Sequence, residues 1–240
     1  MGVALVVLTG LAWAYLVFLS ARMSEMDSPF AMPMTSAWTG QDVVLMWTMW
    51  SVMMAAMMLP SAAPMVSAYS HTIRSGTPGV QGSTVGFVGG YLATWSCFAV
   101  LATGAQWVLH EVALVDAMGA STSRWLGGAL LVGAGAYQFT GAKNACLRQC
   151  RSPLGFLLNQ WRNGGGGAAV MGVRHGALCV GCCWALMAVL FVLGVMNLWW
   201  IALVAAVVLV EKLVSGVWVP RVLGGVLVLW GGALIAGVGA

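Results

Sequence analysis

Charge is scarce in this chain: 7% of its 240 residues are Asp, Glu, Lys or Arg, against about a quarter in soluble domains. So little charge cannot clothe a water-facing surface, and 61% hydrophobic residues with a mean hydropathy of +0.93 imply a protein embedded in the lipid bilayer. A basic surface is also missing. The net charge of +4 is modest and gathers at Lys143, Arg148, Arg151 and Arg162, which reads as a membrane-side signal and gives no nucleic-acid partner. With His 3, the imidazoles that open redox-active copper or iron sites draw on are short, so a membrane metal-dependent oxidase ranks behind other readings. Gly164 to Gly167 follow Arg162 with no Lys-Ser or Lys-Thr behind them. That makes a flexible break and no phosphate cradle, and leaves no ATP-driven step.

Apolar runs are present in abundance. Crossing the hydrocarbon core takes about 20 apolar residues, and seven stretches meet or approach this: 3–21, 42–68, 83–109, 125–143, 168–194, 198–214 and 217–238. The expected fold is therefore all-α, a polytopic transmembrane helical bundle in one domain over 1–240. A re-entrant hairpin around Glu211 and Lys212 is the alternative, with five or six spans. The first stretch lacks the charged flank and cleavage pattern of a signal peptide and is expected to stay as a helix. Arg74, Lys143, Arg148, Arg151 and Arg162 fall in the second and fourth loops, whereas Glu25, Asp27, Glu111 and Asp116 fall in the first and third. The even loops are then cytoplasmic, as is the N-terminus, in a bacterial inner membrane.

Within the fifth stretch Met171, His175, Cys179 and Cys183 follow at i+4 steps, with Cys182 between the last two. On a helix these five side chains occupy a sector of roughly 120°. Thioether, imidazole and thiolate together suit a soft ion such as Cu(I), although a Zn(II) site of His and thiolate is also open. Gly172 and Gly176 would let another helix approach this face closely.

The second stretch is dense in methionine. Eleven of the chain's Met 16 lie between Met23 and Met65; Met53, Met57, Met54 and Met58 line two neighbouring faces of one helix, with Trp50 and Ser61. Met is an adaptable core filler, but Met23, Met26, Met32 and Met34 fall in an expected external loop, where burial cannot account for them. Thioethers bind Cu(I) and largely ignore harder ions. Pro60 and Pro64 are expected to open this helix and free carbonyls for a polar path.

Lys143, Cys146 and Cys150 occur at i, i+3 and i+7, sharing a helical face flanked by Arg148 and Arg151. Cations beside cysteine favour thiolate, for metal binding or disulfide attack. Tyr137 and Gln138 are expected to hydrogen-bond between helices, or to support a site from behind. Glu211 and Lys212 form an ion pair at a membrane end or a buried relay.

The segments WTMWSVMMAAMMLPSAAP, YQFTGAKNACLRQCRSP and GVRHGALCVGCCWALM, followed by Glu211 and Lys212, resemble an uncharacterised bacterial family described as predicted metal-binding integral membrane proteins. The resemblance covers about Val43 to Lys212. It implies metal binding, sometimes copper handling, at Met53, Met54, Met57, Met58, Lys143, Cys146, Cys150, His175, Cys179, Cys182 and Cys183.

These features lead to a membrane protein that binds a soft transition metal, foremost Cu(I), for transport or for chaperoning toward a copper enzyme or metallochaperone. A membrane thiol-disulfide relay through Cys146, Cys150, Cys179 and Cys182 is the competing reading. A site shared between subunits of a homo-oligomer is compatible with both.

Overall fold

Long apolar segments bounded by capping residues fold as helices here, as the composition requires. In the computed structural model, residues 2–23, 38–75, 82–115 and 119–237 are described. They form nine helices and no extended strand: α1 (Gly2–Met23), α2 (Gly40–Arg74), α3 (Thr84–Glu111), α4 (Arg124–Gln138), α5 (Gly141–Cys150), α6 (Pro153–Gln160), α7 (Gly164–Leu193), α8 (Leu198–Leu213) and α9 (Trp218–Ala236). The bundle class expected from sequence is the one observed. Met26, Met32, Met34, Glu25, Asp27 and Asp116, and the side chain of Met23, lie outside the described residues.

Five helices are long and apolar enough to cross a membrane: Gly2–Arg22, Gly40–Arg74, Thr84–Glu111, Gly164–Leu193 and Trp218–Ala236. They fit a multi-pass membrane protein. The fourth and sixth expected stretches also form helices, but α4 has 15 residues and α8 has 16, about 22–24 Å of rise against a core of about 30 Å. The fourth stretch stops early because Thr140 caps a new helix. Its side chain accepts a hydrogen bond from the Lys143 amide at 3.2 Å, so Lys143, Cys146 and Cys150 share α5 and not the end of α4.

α2 starts in a capping box, with the Thr39 amide donating to the Asp42 carboxylate at 2.8 Å. It then runs unbroken through Pro60 and Pro64. Each proline leaves the carbonyl four residues earlier without its helical donor. For Pro60 that acceptor is Ala56, and the Trp13 indole of α1 donates to it at 3.2 Å. The freed carbonyl is thus taken by a neighbouring helix and does not line a polar path.

α3 packs along α7 and α4 along α9, both by backbone approach. A Cβ at Gly172 would lie 2.0 Å from the Phe87 carbonyl oxygen, and one at Gly90 would lie 2.1 Å from that of Ala169. No residue larger than glycine fits there without separating the helices. The seam holds α7 against α3; α2 packs on α3, and α4, α5 and α8 pack on α7. One apolar cluster joins Met46, Met49, Met53, Met54, Met57 and Met58 of α2 to Cys179, Cys182 and Cys183 of α7.

Candidate metal centre

The functional face of α7 is not a single site, and helix geometry explains why. Steps of four residues climb about 6 Å and turn about 40° each, so Met171 and Cys183 stand about 18 Å apart along the axis and look at different neighbours. The Met171 sulfur accepts the backbone N–H of Arg162 at 3.2 Å. His175 sits in an aromatic box, its ring centroid 6.0 Å from Phe87, 5.7 Å from Tyr91 and 5.5 Å from Phe156. The His175 Nδ1 atom is buried without a hydrogen-bond partner among the described residues.

One turn further on, the chemistry concentrates. Cys179 is fully buried. Its sulfur hydrogen-bonds the Tyr91 hydroxyl of α3 at 3.1 Å and accepts from the Lys212 ammonium of α8 at 2.8 Å. Lys212 also donates to Ser61 Oγ of α2 at 2.8 Å. Ser61 Oγ in turn donates to the Met58 carbonyl at 2.9 Å and lies 4.0 Å from the Met58 sulfur. Three helices, α3, α7 and α8, thus meet on one sulfur, and α2 reaches it through Lys212. The Cys182 and Cys183 thiols fold back to the Cys179 carbonyl, at 3.1 Å and 2.9 Å.

α5 brings the remaining cysteines. The Cys150 side chain packs beside Cys182, and Cys182 in turn lies beside Cys179. Cys146 packs on Gly181, where a Cβ would sit 2.9 Å from its sulfur, and the Tyr137 hydroxyl donates to the Gly181 carbonyl. The docking of α5 is fixed by charge. Lys143 donates to both Glu211 carboxylate oxygens, at 3.0 Å and 2.8 Å, with side-chain exposures of 1% and 2%. Arg151 donates from Nε to the Glu211 carbonyl at 2.8 Å and from Nη1 to that of Gly216 at 2.7 Å. The guanidinium thereby serves the unsatisfied carbonyl end of α8. Glu211 and Lys212 do not pair with each other; they hold opposite sides of the centre.

The thiols of Cys179, Cys182 and Cys183 share one turn of α7, with Cys150 packed beside it. Among the described residues no group of three or more His, Cys, Asp or Glu is arranged to hold a metal ion. Paired thiols with a thioether nearby are a donor set for a soft ion of low coordination number. Of the expected site residues, Cys150, Cys179, Cys182, Cys183 and Met58 meet here. Cys146, Lys143, Tyr137, Glu211 and Lys212 frame them, and Met53, Met54 and Met57 are buried in the same apolar cluster. Met171 faces Arg162, and the His175 ring lies one turn from Cys179, 5.7 Å from that of Tyr91, which bonds the Cys179 sulfur. The Gln138 amide, buried under Gly224, has no hydrogen-bond partner among the described residues. Sequence reasoning did not single out Tyr91, and it named Ser61 only as a neighbour of the methionines. A tyrosine within an apolar stretch was the available signal for the first.

No curated protein and no solved structure matches the chain significantly. A family model described as a copper chaperone, PpoB2, matches residues 47–234, a range that contains every residue of the centre. With soft sulfur donors gathered inside that matched range, the chain belongs to the PpoB2 copper chaperone family.

Proposed function

We propose that this protein is a multi-pass copper chaperone of the bacterial inner membrane. It holds Cu(I) as cargo on Cys179 and Cys182 and passes it to a copper enzyme or metallochaperone. The observation that carries the reading is the gathering of Cys179, Cys182 and Met58 in one buried apolar cluster, with Cys150 packed against it, where α2, α5, α7 and α8 come together. A soft ion on two thiolates gains a third before it releases the first, so a row of sulfurs moves it by ligand exchange without an energy source. Buried Met53, Met54 and Met57 extend that row along α2. Zn(II) asks for four donors in a tetrahedron, which pairwise thiols serve less well. In this reading the basic segment from Lys143 to Arg162 faces the cytoplasm with the N-terminus. α4 and α8 are the short members of a seven-segment bundle.

The test is elemental analysis of protein purified without oxygen in mild detergent, comparing wild type with Cys179→Ser/Cys182→Ser. Copper kept by the wild type and lost from the variant is expected; equal copper in both defeats the assignment. The nearness of Cys150 to Cys182 favours one other reading, a thiol-disulfide relay. Metal-free wild type carrying a Cys150–Cys182 disulfide, with activity unharmed by Met58→Leu, would establish the relay instead.

A further inference from the structure

Lys212 is a buried cation without a carboxylate. Its ammonium bonds the Cys179 sulfur and Ser61 Oγ, and among the described residues it makes no ion pair with Asp or Glu. The only buried carboxylate among them, Glu211, is held on both oxygens by Lys143. Arg151 is half-buried and engages backbone carbonyls. Lys143 and Glu211 therefore cancel, and Lys212 leaves one positive charge inside an apolar bundle. A buried charge persists only where something of opposite sign meets it. At this position the atoms on offer are sulfurs.

We infer that Lys212 is the fixed counter-charge of the loaded centre and selects a monovalent metal ion. The inference rests on the copper reading above. Two thiolates carry two negative charges, and Cu(I) adds one positive charge, so the bis-thiolate complex is a monoanion. The ammonium beside Cys179 brings the sum to zero. A divalent ion on the same two thiolates makes a neutral complex, and Lys212 then stands uncompensated in a medium of low dielectric. Sulfur ligands select soft ions but do not by themselves separate Cu(I) from the thiophilic Zn(II). The ammonium adds discrimination by charge. Ser61 supports it by holding the ammonium at the sulfur, between α2 and α8.

Lys212 does not touch the ion in this account; it is a positioning and charge-setting residue. The readout must therefore be a ratio of affinities. Full-length wild type, Lys212→Leu, Lys212→Arg and Cys179→Ser/Cys182→Ser are purified without oxygen. Cu(I) and Zn(II) affinities are then measured by competition with chromophoric chelators. Lys212→Leu removes the charge, keeps an apolar side chain and adds no sulfur ligand beside Cys179; monodisperse elution with unchanged helicity marks folded protein. The Cu(I) affinity should fall at least about tenfold while Zn(II) affinity holds or rises. Lys212→Arg retains the charge and should keep the ratio within about threefold; if the leucine variant does not fold, a ratio shifted more than that by arginine overturns the inference. An unchanged ratio in Lys212→Leu, or an equal loss for both ions, also overturns it while leaving copper binding intact. Wild type that binds no Cu(I) above the double-serine variant overturns the copper reading and this inference together.

Discussion

The contact between Lys143 and Glu211 should dominate the response of this bundle to mutation. It links α5 to α8 across 68 positions of sequence through two hydrogen bonds of 3.0 and 2.8 Å, with both side chains almost wholly enclosed. A surface ion pair would contribute about 0–1 kcal/mol. Removing one partner of a buried pair leaves the other charge without compensation, at a cost of about 3–5 kcal/mol. Lys143→Met and Glu211→Gln should each destabilise by that amount. Both should also loosen α5 from α8, because Arg151 alone then ties it to the end of that helix. The double variant, which removes both charges, should be less damaged than either single one. Equilibrium unfolding in mixed micelles, followed by far-UV circular dichroism, gives the four corners of the cycle. Additive losses, or single variants costing under about 1 kcal/mol, would refute the claim that this pair is buried and mutually dependent.

The α3–α7 seam predicts that Gly172→Ala, whose Cβ would meet the Phe87 carbonyl at 2.0 Å, costs about 1–3 kcal/mol. Gly89→Ala, with nothing within 4 Å, should be harmless in the same unfolding experiment. Trp13→Phe strips the Ala56 carbonyl of its donor at about 1 kcal/mol, and Pro60→Ala, which restores the helical N–H, should rescue it. Oxidation of metal-free protein should cross-link Cys150 to Cys182 in preference to Cys146 to Cys182, since Cys146 packs on Gly181 and Cys150 beside Cys182. Peptide mapping after trypsin reads the bond, and pre-loading with Cu(I) should block it.

Much of the centre was legible before any coordinates. The i+3 and i+4 spacing of Cys179, Cys182 and Cys183 put three thiols on one turn, and the same rule placed Cys146 and Cys150 on a face with Lys143. Gly172 and Gly176 announced a close helix neighbour, and α3 is that neighbour. The break at Thr140 was written in the sequence as a capping threonine before Gly141, yet apolar length alone carried the expected span across it. The expected polar path at Pro60 failed for a different reason, since the freed carbonyl found its donor in Trp13, 43 residues away in sequence.

Sequence by itself determined the class of this protein, because scarce charge and long apolar runs admit only a bundle that satisfies its own backbone. It also determined which donors share a face, since that follows from helical pitch. Tertiary structure alone decided what each face meets. It turned Met171 toward Arg162 and closed His175 into an aromatic box. It split the neighbours Glu211 and Lys212 between a lysine of α5 and a cysteine of α7. Pitch is a local property, whereas the partner of a face is set by how whole helices cross, and no spacing within one segment encodes that crossing.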